Sequence, residues 1–227
     1  MTGGIDTHGA RGQDPGVVQL LDHRQYAVHP WRNGRGVLRH IAEGDGWQLR
    51  LADITESGPF SDFSGYLRLF AMVEGAVVLQ MPSGEGVECD PVSAVAIFDG
   101  GAAPHCSLVR GPAKAFNLIV ETDKVLATLE RQTIGKLSPQ PAIKAGSEPI
   151  GEDGAFIAIH VQSGRIECRA ERSVAADAGA GGSWIMAHSQ DTLLLAAGDG
   201  FILRAADGDD KAVVLIARVR PQAKGGH

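Results

Sequence analysis

A single arginine lies inside the otherwise apolar segment YLRLFAMV (66–73), where a guanidinium could bind an anion. If the segment is a β-strand, Arg68 shares a face with aromatic and methionine side chains, and the opposite face is apolar as well. Such a strand is buried, and a buried guanidinium needs a hydrogen-bonding or anionic partner. That partner is an internal carboxylate, several carbonyl groups, water, or an anionic ligand such as a carboxylate, which a guanidinium holds through two parallel hydrogen bonds. The internal candidates are Asp53, Asp62 and Glu74.

Asn117 is a second polar residue inside an apolar strand, AFNLIVE (115–121). An unpaired buried amide costs about 1–3 kcal/mol, so Asn117 either bonds to the backbone of a neighbouring loop or orients a ligand. Two phenylalanines in GPFSDFSG (58–65), Phe60 and Phe63, supply an apolar wall for the same cavity or contribute only to core packing.

The loop HPWRNGRG (29–36) could close such a cavity. Its proline and glycines shape the backbone and permit close approach to a ligand. In this interpretation Trp31 forms an apolar wall, Asn33 donates and accepts hydrogen bonds, and Gly34 brings backbone N–H groups near the ligand. The alternative is that Trp31 plugs the end of the fold and Asn33 only closes a turn.

The composition excludes several other kinds of partner. The net charge is −6 and Lys and Arg form no run, which argues against nucleic-acid binding. The three cysteines show no CxxC spacing, so neither a disulfide framework nor a cysteine zinc site is indicated. The first residues lack a signal-peptide pattern, and no apolar run has the length of a membrane span. These features predict a cytoplasmic protein.

The elements that position these residues read as short β-strands separated by Gly, Asp and Ser. Only 122–135 is ambiguous between helix and strand. Two pairs of segments repeat in the same order: VLQMPSGEGVEC (78–89) with AIHVQSGRIEC (158–168), and KAFNLIV (114–120) with KAVVLIA (211–217). This order predicts a duplicated β-barrel or sandwich. In the second pair, Val214 occupies the position of Asn117.

Four segments occur in an order and spacing that resemble the HutD/Ves family: PWRNGRG, GPFSDFSGYLRLFAMVEG, AIFDGG and GPAKAFNLIV. The resemblance implies a bicupin, an association with histidine utilisation, and a binding or regulatory role. It matches Arg68 to the arginine of the family motif and adds Arg39 as a site residue. The chain departs from the family pattern at five positions, Arg35, His40, Leu67, Gly101 and Ala115.

Metal and nucleophile chemistry have weaker support. Many cupins bind a metal through closely spaced histidines and a glutamate, but none of the eight histidines here are two residues apart. A composite site from His40, His105 and Glu121 stays open as an alternative. There is no GxSxG motif, and Cys106 points to the strand face opposite its neighbour His105. The sequence therefore predicts no catalytic residue, no metal and no cofactor.

Together these features predict an all-β protein of two packed cupin-type β-barrels, 17–135 and 136–220, between disordered tails at 1–16 and 221–227. The N-terminal barrel holds the ligand cavity, and the second barrel is mainly structural and offers strand edges for a homodimer. The leading hypothesis is a HutD-like accessory or regulatory protein that binds a small carboxylate related to histidine or amino-acid catabolism. The alternatives are a metal-dependent cupin enzyme and a structural or interaction module.

Overall fold

In the computed structural model, residues 18–31, 36–135, 155–171, 183–196 and 200–222 are described. Most of them form strands, which are β1 Val18–Leu21, β2 Ala27–Pro30, β3 Gly36–Gly44, β4 Trp47–Ile54, β5 Gly58–Pro59, β6 Tyr66–Gln80, β7 Gly86–Cys89, β8 Ala96–Asp99, β9 His105–Glu121, β10 Val125–Gly135, β11 Phe156–Ser163, β12 Arg165–Glu171, β13 Ile185–His188, β14 Thr192–Ala196, β15 Gly200–Ala205 and β16 Lys211–Pro221. Two short 3-10 helices, His23–Gln25 and Gly100–Ala102, complete the list of elements. The predicted all-β class is confirmed. The described residues include no helix that is both long and apolar enough to span a membrane.

The first barrel is built on two long strands, β6 and β9, which pair along most of their length. Their register shifts around Gly75, which has a φ of +74°. A side chain at Gly75 would come within 2.6 Å of the carbonyl oxygen of Arg110, so only glycine fits there. The shift lets each long strand contribute to two parts of the barrel: β3, β4 and β8 flank one part, and β5 and β7 flank the other.

The second barrel consists of a five-stranded sheet, β1-β14-β11-β16-β10, and a three-stranded sheet, β13-β12-β15. The ambiguous segment 122–135 contains strand β10, which pairs with β16 from Val125 to Gly135. Because β1 and β10 join the sheet of the second half, the division between the sheets does not follow the predicted boundaries 17–135 and 136–220. The predicted tail at 1–16 and residues 223–227 of the predicted tail 221–227 lie outside the described residues. The other two residues of that tail are ordered: Pro221 ends β16, and the backbone N–H of Gln222 donates to the carbonyl oxygen of Lys124 over 2.7 Å.

The two barrels pack against each other through one apolar cluster. Alternation along the strands decides which side chains enter it: in β9, Phe116 and Leu118 face the other barrel, whereas Ala115 faces the interior of its own barrel. The second half contributes Ala158, Leu215 and Ala217. Burial of these side chains is the main stabilising contribution at this interface.

Arg131 on β10 adds polar contacts between the two halves. Its Nε donates to Oε1 of Gln162 over 2.8 Å, and its Nη2 donates to the carbonyl oxygen of Met72 over 2.8 Å. Its Nη1 donates to the carbonyl oxygen of Ser93. One guanidinium therefore joins β10 to a strand and a loop of the first barrel.

The two barrels share a repeated strand pattern, but neither pair of segments matched in the sequence is the structurally equivalent one. Gly164, with a φ of +78°, lies against Ala212, as Gly75 lies against Ala113. Matching these pairs makes β11 equivalent to the first part of β6, and β16 equivalent to the second part of β9. The sequence alignment of Lys114 with Lys211 was therefore wrong by two residues, and that of 78–89 with 158–168 was wrong by about nine, since 158–168 corresponds to 69–79. Both alignments matched similar sequences and not equivalent positions in the barrel.

Candidate functional site

Arg68 points into the first barrel, together with Phe70 and Met72 of the same strand. Its exposed fraction is 7%, and its Nη2 donates to Oδ1 of Asn117 over 2.8 Å. The predicted enclosure of Arg68 is thus what the structure shows. Asn117 is 2% exposed, so the pair is buried.

Arg68 forms no ion pair with any carboxylate of the described residues, so the internal-pair alternative is wrong. Each of the three carboxylates considered from the sequence has another partner. Asp53 pairs with Arg39, Glu74 lies 3.1 Å from Nζ of Lys114, and Asp62 accepts from the backbone and hydroxyl of Ser64. The Nε atom of Arg68 is buried without a hydrogen-bond partner in the described structure.

Three phenylalanine rings surround the Arg68 guanidinium. Its Cζ lies 4.6 Å from the ring centre of Phe60, 5.4 Å from that of Phe98 and 5.6 Å from that of Phe63. The loop that carries Phe60 and Phe63 is held by backbone hydrogen bonds of 3.0 Å to Pro104 and Gly100. Cation–π contacts of this kind contribute roughly 0.5–2 kcal/mol each but do not neutralise the charge.

Phe98 was missed in the sequence analysis. It lies in the quoted segment AIFDGG, directly opposite Arg68 in the pairing of β8 with β6. Alternation within that segment was the available signal, since it places the buried Phe98 on the face opposite the exposed Ile97.

The pKa of Arg68 is lowered to about 10, mainly by burial. The charge of the neighbouring Arg50 contributes to this lowering, and Cys106 opposes it. A guanidinium with this pKa stays charged at neutral pH. The barrel thus holds a positive charge that its own described carboxylates do not compensate.

A strip of polar side chains extends from Arg68 towards solvent. In the register of the sheet, His40 lies opposite Arg50, and Arg50 lies opposite Asn117. Gln48 lies on the same face, because it is two residues from Arg50 on β4. Two buried atoms of this strip have no hydrogen-bond partner in the described structure, Gln48 Oε1 and Arg50 Nε, whereas His40 Nε2 lies 3.2 Å from Oε2 of Glu43.

The structure separates the other predicted site residues from Arg68. Arg39 pairs in register with Leu51, which faces the second barrel, so Arg39 lies on the sheet face opposite Arg68 and pairs with Asp53. Trp31 packs against the core of the first barrel and contacts Gly36.

The register puts Trp31 at a different level of the barrel from Arg68. Gly36, which Trp31 contacts, pairs with Ile54 at one end of β4. Arg68 and Gln48 both pair with Ile119, and Gln48 lies about 20 Å from Ile54 along β4. Asn33 and Gly34, with Arg35, lie outside the described residues. The constellation that the structure brings together is therefore Arg68, Asn117, Phe60 and Phe63.

Two departures from the family pattern are packed in apolar surroundings. Leu67 packs at the interface between the barrels, and Ala115 is fully buried in the first barrel. Gly101 lies in the 3-10 helix beside Ser64, and its backbone N–H donates to Asp99 over 2.7 Å. His40 is part of the polar strip, 3.2 Å from Oε2 of Glu43.

The second barrel has different residues at the positions equivalent to Arg68, Asn117 and Arg50. Ile157 is in the position of Arg68, and Ile216 is in the position of Asn117, both in the apolar core. Glu130 corresponds to Arg50, and it accepts from Arg218 of the neighbouring strand. Arg218 of the second barrel therefore pairs with a carboxylate of the chain itself, whereas Arg68 and Arg50 of the first barrel do not in the described structure.

The composite metal site considered from the sequence is not assembled. His105 is exposed, and Oε1 of Glu121 accepts from the Tyr66 hydroxyl over 3.1 Å. Within the described residues, the group with metal-ligand types in proximity is Asp22, His23 and Asp191, whose ligand atoms lie within 4.8 Å. Asp191 there accepts from backbone N–H groups of His23 and His188, which gives it a structural role.

Cys106 is unsuited to act as a nucleophile. The thiol is 1% exposed, and burial raises its pKa to about 12, with a further rise from Cys89 and a small opposing effect of Arg68. Since the thiolate is the reactive form, this cysteine contributes apolar volume to the core.

The fold and its paired barrels define a cupin-type protein. A solved cupin 2 conserved barrel domain protein from Leptotrichia buccalis is similar to the chain with a TM-score of 0.56 and 9% identity, covering 94% of this chain and 100% of that one. At this identity the likeness concerns the fold alone. It confirms the predicted fold class.

A family model described as HutD matches residues 23–214, so the chain belongs to the HutD family. A curated relative from Pseudomonas putida, an uncharacterized 21.2 kDa protein in the hutC 3' region, is 35% identical over 121 residues. That alignment spans 50% of this chain and 63% of the relative, less than two thirds of its length. HutD from Pseudomonas fluorescens SBW25, solved in a formate condition, is 20% identical with a TM-score of 0.65, covering 91% of this chain and 100% of that one.

Proposed function

We propose that the chain is a binding protein for a small carboxylate, with an accessory or regulatory role in histidine or amino-acid catabolism. The observation that carries the proposal is the buried Arg68 guanidinium, which has no carboxylate partner in the described structure. A buried charge of this kind is costly unless a counterion approaches it. A ligand carboxylate would supply that counterion.

The geometry around Arg68 suits a carboxylate. Nη2 of Arg68 donates to Asn117, and phenylalanine rings lie over the guanidinium. The Nε–H edge of the guanidinium is left for a ligand. An arginine edge binds a carboxylate through two parallel hydrogen bonds, and a dry aromatic surrounding strengthens them. Asn117 fixes the plane of the guanidinium and so acts as a positioning residue.

The family supports the choice of ligand class. The name of the P. putida relative places it in the hutC 3' region, and the structure of HutD from P. fluorescens was solved in a formate condition. Formate is the smallest carboxylate and is therefore a suitable first probe. Carboxylates of amino-acid breakdown are the next set to screen.

Replacing Arg68 with lysine or glutamine should weaken carboxylate binding about 100-fold, because an ammonium or an amide cannot reproduce a charged, bidentate contact worth about 2–3 kcal/mol. The measurement is a titration of formate and longer carboxylates, followed by calorimetry and by the rise in melting temperature. Melting of the ligand-free variants reports separately on folding.

Arg39→Lys provides the matched control, since Arg39 lies on the opposite face of the sheet and pairs with Asp53. It should bind carboxylates as the wild type does. Unchanged affinity in a folded Arg68 variant would remove the ligand role of Arg68.

A further inference from the structure

Arg50 is a second arginine on the interior face of the first barrel. Its position is opposite Asn117 in the pairing of β4 with β9, and Asn117 in turn bonds to Arg68. Two strand spacings and two residues separate Arg50 from Arg68, roughly 12 Å between Cα atoms. Arginine side chains that extend from both sides of Asn117 can therefore approach the same ligand.

The charge on Arg50 is poorly compensated. Burial lowers the pKa of Arg50, and the nearby Glu43 opposes that shift only in part. Glu43 is exposed and lies 3.2 Å from His40, and no hydrogen bond or salt bridge joins it to Arg50 in the described structure. The Nε of Arg50 is buried and unpartnered, like that of Arg68.

In the second barrel, the charged residue at the position of Arg50 has a partner of opposite charge within the chain. Glu130 is in the position of Arg50 and pairs with Arg218, so that barrel carries its own counterion. In the first barrel, two cations share the interior face and their unpartnered nitrogens have no carboxylate of the described residues. Two carboxylates of a ligand would neutralise these two arginines.

We propose that Arg50 is a second anion-binding residue of the same site and that the site prefers small dicarboxylates over monocarboxylates. This inference rests on the proposed carboxylate-binding function at Arg68. One carboxylate binds Arg68 in the buried part of the barrel, and the other binds Arg50 in the half-buried part nearer solvent. Gln48, whose Oε1 has no hydrogen-bond partner in the described structure, lines the solvent side together with His40, where these side chains contact polar substituents of the ligand.

The test compares ligands of equal length with one or two carboxylates: butyrate with succinate, and valerate with glutarate. Calorimetric titration of the full chain should show that the better dicarboxylate binds at least about tenfold more tightly than its monocarboxylate counterpart, the effect of one additional charged contact of about 1.4 kcal/mol. Arg50→Gln should abolish this preference, because it removes the contact with the second carboxylate and leaves Arg68 in place. Arg68→Gln should weaken both ligands.

The control is Arg39→Gln, which removes one positive charge from the opposite face of the same sheet. It should keep the dicarboxylate preference, because the effect requires contact and not net charge. If monocarboxylates bind through Arg68 but dicarboxylates bind no better, or if Arg50→Gln keeps the preference, the dicarboxylate inference is wrong and the proposed function stands. If neither ligand class binds the wild type, both proposals are wrong.

Discussion

Replacing Phe116 with alanine is expected to destabilise the protein by about 3–5 kcal/mol, the usual cost of deleting a fully buried phenylalanine. Phe116 has no exposed surface and lies in the apolar cluster shared by the two barrels. Its ring is stacked on His160 of the second barrel at 4.9 Å between ring centres. The truncation therefore leaves a cavity at the interface itself, where neither barrel can collapse into it without moving a strand.

Chemical denaturation of Phe116→Ala and wild type, followed by fluorescence and circular dichroism, measures this loss. Val109→Ala is the matched control, because Val109 is on the same strand and 66% exposed; its effect should stay within about 0.5 kcal/mol. A loss below about 1 kcal/mol for Phe116→Ala would contradict the proposed importance of the interface.

The interior position of Arg68 could be predicted because it depends on a local rule. Alternation along YLRLFAMV places Arg68 among large apolar neighbours, whichever strands pair with it. The choice of its hydrogen-bond partner depends on the register between β6 and β9, residues far apart in the chain. The sequence therefore indicated a buried guanidinium and left its partner open.

Arg50 was missed for a related reason. In WQLRLADI (47–54), Gln48 and Arg50 share a face, and the ordinary interpretation of polar residues on alternate positions is a solvent-facing side. The structure shows that this face is interior, since Ile54 of the same face lies in the core of the first barrel. The alternation of polar residues thus shows that Gln48 and Arg50 share a face, but not that this face is the interior of a barrel.

The sheet to which β10 belongs could not be derived from its sequence. Val125 to Gly135 follow β9 after a short turn, and consecutive strands usually lie next to each other. Instead β10 pairs with β16, near the other end of the chain, and Arg131 then bonds back to the first barrel. Such long-range pairing exchanges strands between the two halves and blurs any boundary drawn along the chain.

Acid is expected to destabilise the protein through His160, which lies at the same interface. The imidazole has no exposed surface, and burial lowers its pKa to about 3, a shift that Asp191 opposes and that Lys114 and His23 increase. Nδ1 lies 3.0 Å from Oγ1 of Thr192, and Nε2 has no hydrogen-bond partner in the described structure. The neutral ring is therefore the form that the folded state accommodates.

The direction of the pH effect follows from the lowered pKa. The unfolded chain binds a proton at this histidine near pH 6.5, whereas the folded chain does so only near pH 3, so stability falls as the pH drops between these values. One proton corresponds to about 1.4 kcal/mol per pH unit, and the loss between pH 7 and pH 4.5 should be about 2.5 kcal/mol. Urea denaturation at a series of pH values measures the slope.

His160→Phe separates this residue from the other titrating groups. Phenylalanine fills a similar volume against Phe116 and binds no proton, while the Thr192 hydroxyl keeps its contact with the Tyr26 hydroxyl at 2.8 Å. The slope of unfolding free energy between pH 6 and pH 4 should therefore fall by about one proton. His29→Phe, which changes an exposed histidine, should keep the wild-type slope. An unchanged slope in His160→Phe would show that His160 is not the group through which acid destabilises the interface.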